Sequence, residues 1–149
     1  MAKVVSLQIH RERCAPVLRV DSVIGRVGGG VEGDSHVAKA RRAVLVVDRS
    51  TLDDLSLAPG DLREQITVEG VRGVTGLVPG TRLRVGGITL QVNGECEPCT
   101  HIGGMLEVDD PEAFRLSLVG RRGAVCTVVE ATAPASVGDP VEVLTLAAV

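Results

Sequence analysis

Turn residues limit what this chain can fold into. Eighteen glycines and seven prolines are spread over 149 residues. Inside a helix glycine costs about 1 kcal/mol and proline about 3 kcal/mol relative to alanine, so few stretches suit a long helix. Between the turns lie short runs rich in Val, Ile, Leu and Thr, residues that fit a pleated, half-buried surface. These runs predict strands over 4–9, 17–20, 43–47, 65–68, 82–85, 88–92, 124–129 and 141–146. Gly86-Gly87 reads as a two-residue hairpin turn between two of them.

Helical signals are local. Ser50 predicts a cap for a short helix over 51–57, with Asp53 in a loose capping-box position. Asp110-Pro111-Glu112 places proline at the first helical position ahead of 113–118, and Gly120 ends that helix. Many short strands with two small helices imply a mainly β fold, a barrel or folded sheet, not a βαβ sandwich. No repeat, low-complexity segment or linker is visible, so one domain over 1–149 is expected.

Composition narrows the function. With 44% hydrophobic residues the chain can build a core without disulfides. A net charge of −3 and a single aromatic residue, Phe114, give neither an electrostatic footprint nor a base-stacking platform for nucleic acid. No apolar run is long enough to span a bilayer, so no membrane partner is expected. Met1-Ala2-Lys3 leads into a run too short for a secretory h-region. Cys14, Cys96, Cys99 and Cys126 are irregularly spaced, unlike a secreted disulfide framework. A reducing cytoplasm with free thiols is the expectation.

The chemistry concentrates in Cys96-Glu97-Pro98-Cys99-Thr100-His101. Thiolates bind soft metals, and a thiolate of lowered pKa is a nucleophile. Three readings stand: half a zinc site, a redox dithiol, or one working cysteine beside a bystander. Zinc would need four ligands, with His101 and a distant Cys14, Cys126, His36 or His10 completing the set. A redox dithiol should open a helix, and Gly103-Gly104 read against one. Two buried structural thiols are the plain alternative.

Other segments offer anion contacts. The glycine-rich stretch 25–34 lacks a Walker A ending and a dinucleotide fingerprint. Its exit, Gly33-Asp34-Ser35-His36, is followed by Lys39, Arg41 and Arg42, which together suit a phosphate. His36 alone reads as a surface or turn residue. Arg63 enters an apolar strand and needs a carboxylate or phosphate partner, Glu64 being the plain choice. Gly120-Arg121-Arg122-Gly123 and Gly138-Asp139-Pro140 read as turns.

In their order, these pieces resemble the MOSC domain family, named for the C-terminal domain of molybdenum cofactor sulfurases. The anchors run from about Gly25 to Val143: Gly33-Asp34-Ser35-His36, then 59–66, then Val78-Pro79-Gly80 with the hairpin over 82–92. Cys96-Glu97-Pro98-Cys99, Gly120-Arg121-Arg122-Gly123 and 137–141 complete them. The resemblance implies a MOSC-type β-barrel that binds molybdenum cofactor, a pterin dithiolene carrying Mo and a terminal phosphate. Cys99 matches the family's characteristic cysteine, as metal ligand in a reductase of N-hydroxylated compounds or as persulfide in a sulfur carrier. Arg63 matches an anion-binding arginine, and Gln65 stands where the family commonly has Asn. Asp34 and His36 match the start of the binding groove. Asp139 matches a turn near the metal in relatives. An electron-donor or sulfur-donor protein is implied as partner. The length leaves no room for the pyridoxal-phosphate domain of the large sulfurases or for the N-terminal extension of amidoxime-reducing relatives, so a stand-alone bacterial-type module without pyridoxal phosphate is implied. Reductase, carrier and a zinc-bound or structural β-domain remain the readings to separate.

Overall fold

β4, Val44–Asp48, is apolar on both faces, and the fold is built around it. Val44 and Val46 enter one hydrophobic cluster, while Leu45 and Val47 enter a second on the opposite face. A strand buried on both sides reads as a continuous apolar run, not an alternation. The computed structural model describes residues 2–71 and 73–145.

Ahead of β4 come β1 (Lys3–Ile9), β2 (Leu18–Val20) and β3 (Ser22–Val23). After it come α1 (Arg49–Asp54), β5 (Ile66–Glu69), β6 (Arg82–Val85) and β7 (Ile88–Glu95). The chain continues with α2 (Thr100–Met105), α3 (Pro111–Ser117), β8 (Ala124–Ala131), β9 (Ala135–Ser136) and β10 (Val141–Thr145). One eight-stranded sheet runs β10-β6-β7-β8-β4-β5-β1-β2, and β3 pairs with β9 separately. Only β4 and β5 pair parallel, through the α1 crossover.

The architecture is mainly β with a few short helices, but the ladder is not closed into the expected barrel. Its curvature still brings β1 to the segment leading into β10. Lys3 bridges Pro140, and the Val4 N–H donates to the Asp139 carbonyl at 2.9 Å. The predicted strands lie close to the observed ones, with Leu146 of the last run outside the described residues. β6 shows why: Leu83 and Val85 are buried while Arg82 and Arg84 face out, the period of a half-buried strand. The turn at Gly86-Gly87 forms as predicted, with Val85 opposite Ile88. Glycine is required there, since a Cβ on Gly87 would sit 2.3 Å from the Ala133 carbonyl oxygen.

Two helical expectations are corrected. α1 begins one residue earlier than its predicted cap, because Asp48 at the end of β4 accepts from the Thr51 N–H. α2 runs straight through Gly103-Gly104, which were expected to interrupt a helix. Tertiary docking overrides propensity there. Ile102 is buried, and a Cβ on Gly103 would lie 3.0 Å from Pro111 Cα of α3, so the glycine lets the two helices meet. The second cluster, with Leu52, Leu62, Ile102 and Leu118, packs these helices on the outer face of β4.

Candidate functional site

Beside the antiparallel pair β4 and β8, where β7 stops and β5 and β8 begin, a cavity of about 490 Å³ opens. Its floor is Leu45 of β4, Gln65 just before β5, and Val125 of β8. Cys96, immediately after β7, completes it. Ser35, His36, Lys39 and Arg42 come from the loop ahead of β4, Arg63 from the turn ahead of β5, and Arg13 from the β1–β2 loop. Arg122, one turn before β8, closes the ring. Five of the eleven lining residues are Arg or Lys and none is Asp or Glu. A chain of net charge −3 therefore concentrates positive charge in one concavity, an arrangement suited to an anion.

Arg122 is nearly buried, 9% exposed. Its guanidinium reaches the Glu97 carbonyl at 3.4 Å, the Leu62 carbonyl at 3.4 Å and the Cys99 sulfur at 3.8 Å. Its Nε has no partner, and among the described residues no carboxylate pairs with it. A buried cation with long hydrogen bonds and no counter-ion is costly, and an anion in the cavity would offset that cost.

Cys99 stands at the N-terminal boundary of α2 in extended conformation, exposed; it does not itself line the cavity but lies against Arg122, which does. Partial burial raises its thiol. The backbone N–H groups of Ile102 and His101, with the Arg122 guanidinium, more than offset this and leave it below the ordinary cysteine value. Cys96 is buried in the cavity wall, where desolvation outweighs Arg122 and Arg42 and pushes its thiol up. The two shifts run in opposite directions, so Cys99 is the more acidic thiol and Cys96, three residues away, the less acidic one. Cys126, in β8, is buried and pushed up to about 12 by desolvation, as a core residue.

Asp34 and Gln65 lie beneath the cavity and shape it. The Asp34 carboxylate accepts from the His10 N–H at 2.8 Å, His10 Nδ1 at 3.2 Å, the His36 N–H at 2.9 Å and Gln65 Nε2 at 3.1 Å. Burial raises its pKa, but these hydrogen bonds from His10 and His36 prevail and hold it well below the usual carboxylate range. Gln65 Oε1 accepts from the Leu45 N–H at 2.7 Å, so its amide is tied to Asp34 on one side and β4 on the other. Asp34 thus orients His36 and Gln65.

Arg63 takes φ +65 and donates from Nη1 to the Ala15 carbonyl at 2.6 Å, not to Glu64. Glu64 is fully buried and accepts from Thr67 Oγ1. Lys39 and Arg42 line the cavity, whereas Arg41 turns away to the Asn93 carbonyl at 3.0 Å. Asp139 is apart from these groups. It accepts from the Ser136 N–H at 2.8 Å, packs against the Gly86 turn, and does not line the cavity. Arg13 and Arg122 were missed by sequence reasoning. The argument applied to Arg63, a cation entering a buried strand, applies equally to Arg122. Arg13 carries no such signal. Among the described residues no three His, Cys, Asp or Glu side chains gather to hold a metal ion, and no helix is long and apolar enough to cross a membrane.

The sequence pattern of the MOSC domain matches residues 29–142, and the chain belongs to that family. MOSC domains are generally associated with molybdenum cofactor binding. A search of curated proteins found no match. Among solved structures, the fold is similar to YuaD from Bacillus subtilis, with TM-score 0.81, 22% identity, and 95% of this chain and 94% of that one covered. It is also similar to YiiM from Escherichia coli, with TM-score 0.66, 20% identity, and 97% and 70% covered. YiiM from Geobacillus stearothermophilus gives TM-score 0.71 at 15% identity, with 97% and 76% covered.

Proposed function

We propose that this MOSC domain binds molybdenum cofactor in the cation-lined cavity and presents the Cys99 thiolate beside Arg122 of its wall. The observation that carries the reading is the pairing of an all-cationic set of charged lining groups with a buried Arg122 that touches the Cys99 sulfur. A cavity of about 490 Å³ is in the range that takes a ligand of pterin size.

The bound group would supply a soft, redox-active metal centre. Arg13, Lys39, Arg42 and Arg63 would hold its terminal phosphate by charge-assisted hydrogen bonds. Arg122 would face the anionic charge nearest the sulfur and helps to lower the Cys99 pKa. Gln65 and His36, fixed by Asp34, give the cavity a rigid polar wall. Without Trp or Tyr, the pterin is held by edge contacts and hydrogen bonds, not stacking. A metal at Cys99 would need its other ligands from the bound group, since among the described residues no three His, Cys, Asp or Glu side chains gather to hold one. Asp139, which braces the 136–139 turn and does not line this cavity, is given no ligand contact in this reading.

The same thiolate suits two roles. As metal ligand it serves an enzyme that reduces N-hydroxylated compounds with electrons from a partner protein. As nucleophile it serves a carrier of sulfane sulfur, and its exposure to a donor protein favours this second role.

Metal and pterin content of protein purified anaerobically from a cofactor-producing host tests the reading, alongside Cys99→Ser and Cys96→Ser. Mo and pterin lost in Cys99→Ser but kept in Cys96→Ser support it. Zinc lost equally in both variants overturns it in favour of a metal clip. Turnover of hydroxylamines by the Mo-loaded protein selects the reductase. Cyanolysable sulfur on Cys99 selects the carrier.

A further inference from the structure

The loop between β1 and β2 holds a thiol that the site above does not use. Arg13 of this loop lines the cavity. The loop is pinned by Arg63, which donates to the Ala15 carbonyl, and by the Ala15 N–H donating to the Glu12 carbonyl at 3.0 Å. Between these anchors Cys14 takes φ +63, and Arg63 opposite takes φ +65. Two side-chain-bearing residues thus hold left-handed conformations at one cavity mouth. Such conformations cost of order 1–3 kcal/mol and persist where the surroundings over-determine them.

The result is a specific juxtaposition. The Cys14 sulfur is exposed and lies 3.5 Å from His101 Nε2. His101 belongs to the opening turn of α2, two residues beyond Cys99, which places their Cα atoms within about 7 Å. Arg63 is near enough for its charge to act on Cys14. Residue 14 lies outside the 29–142 stretch matched to the family.

We propose that Cys14 is the receiving thiol of a two-cysteine sulfur relay, with Cys99 as its acceptor. The inference rests on the carrier form of the function proposed above. In the first step the Cys14 thiolate attacks the outer sulfur of a donor persulfide. A bond forms between Cys14 Sγ and that sulfur, the donor's S–S bond breaks, and the donor leaves as a thiolate. In the second step the Cys99 thiolate attacks the same outer sulfur. The new S–S bond forms on Cys99, the bond to Cys14 breaks, and the electron pair departs on Cys14 Sγ. The proton of the perthiol stays with the transferred sulfur, so neither step needs an oxidant or reductant. His101 Nε2–H and the Arg63 guanidinium stabilise the departing Cys14 thiolate by hydrogen bond and charge. Cys14 meets the donor, and Cys99 faces Arg122 of the cavity wall.

Glutathione persulfide is the probe, with quenched time courses, alkylation and peptide mass spectrometry on the reduced full chain. Wild-type protein should carry added sulfur first on Cys14 and then on Cys99. Cys99→Ser should hold it on Cys14. Cys14→Ser should load Cys99 at least tenfold more slowly. His101→Gln should slow loading in the wild-type background and change nothing in Cys14→Ser, which separates an effect through Cys14 from a disturbance of α2. Wild-type loading of Cys99 in Cys14→Ser, or no sulfur on Cys14 in Cys99→Ser, overturns the relay while leaving sulfur carriage by Cys99 in place. Absence of sulfur on Cys99 in every variant overturns the carrier reading itself, and the relay with it.

Discussion

Arg122 Nη1 lies 3.8 Å from the Cys99 sulfur, and the same guanidinium forms part of the cavity wall. One buried cation therefore faces both the Cys99 sulfur and the cavity. Arg122→Met keeps side-chain volume and removes the charge. Because a buried, unpaired cation is a net cost, the variant should unfold at the same or a higher temperature, with a gain of up to about 1 kcal/mol. Its affinity for pyrophosphate, measured by calorimetry, should fall at least tenfold. Marked destabilisation together with unchanged pyrophosphate binding would show that Arg122 is structural.

The thiols should separate by reactivity. Cys99, held below the ordinary cysteine value, should be alkylated by iodoacetamide at lower pH than a free thiol. Cys96, pushed up by burial, should require higher pH, and Cys126 should stay unmodified in the folded protein. Peptide mass spectrometry across a pH series reads all three. In Arg122→Met the Cys99 profile should move toward higher pH.

Two buried carboxyls give stability opposite pH dependences. Asp34 has a folded pKa below its unfolded value, so its contribution is complete above about pH 4 and fades as acid protonates it. Glu64 is raised, burial outweighing the backbone N–H groups of Gly60 and Leu62 and the Thr67 hydroxyl, so the folded state keeps a proton that the unfolded chain releases. Stability from this group falls as pH rises above the ordinary carboxylate value. Asp34→Asn should cost about 2–3 kcal/mol at neutral pH, from hydrogen bonds lost to a buried charge, and should flatten the acid limb. Glu64→Gln should flatten the opposite limb and raise the denaturation midpoint at pH 8. Urea titrations at several pH values test both.

Adjacent glycines of α2 should respond in opposite directions. Gly104 is exposed with open space around it, so Gly104→Ala should stabilise by about 0.5–1 kcal/mol through helix propensity. Gly103→Ala places a methyl 3.0 Å from Pro111 Cα and 3.1 Å from Val108 Cγ2, and should destabilise instead. Thermal unfolding of the pair checks the α2–α3 contact. If both variants were stabilised, that close approach would be wrong.

Local pattern was enough for most strands. Val, Ile and Leu at period two, as in β6, or in a continuous run, as in β4, state a strand and its burial within a few residues. Pro111 behind Asp110 likewise states where α3 starts, and Asp110 caps it by accepting from the Ala113 N–H at 3.1 Å. Capping by Asp48 in place of Ser50 was not legible, because either side chain satisfies the local rule and the end of β4 decides between them.

The cysteine pair, the Gly33–His36 turn and the basic residues near it are local too, and they marked the segments that hold chemistry. Their roles were a matter of assembly. Whether Cys96 or Cys99 is the more acidic thiol depends on which sulfur lies near the first N–H groups of α2 and the Arg122 guanidinium, contributed by a turn more than twenty residues away. Whether Asp34 binds a ligand or braces a wall depends on His10 and Gln65 arriving from other strands. Arg13 joins the cavity, and Cys14 meets His101, only because the β1–β2 loop folds over the start of α2. Backbone periodicity is written in neighbouring residues, whereas charge, burial and hydrogen-bond partners at a site are sums over distant ones.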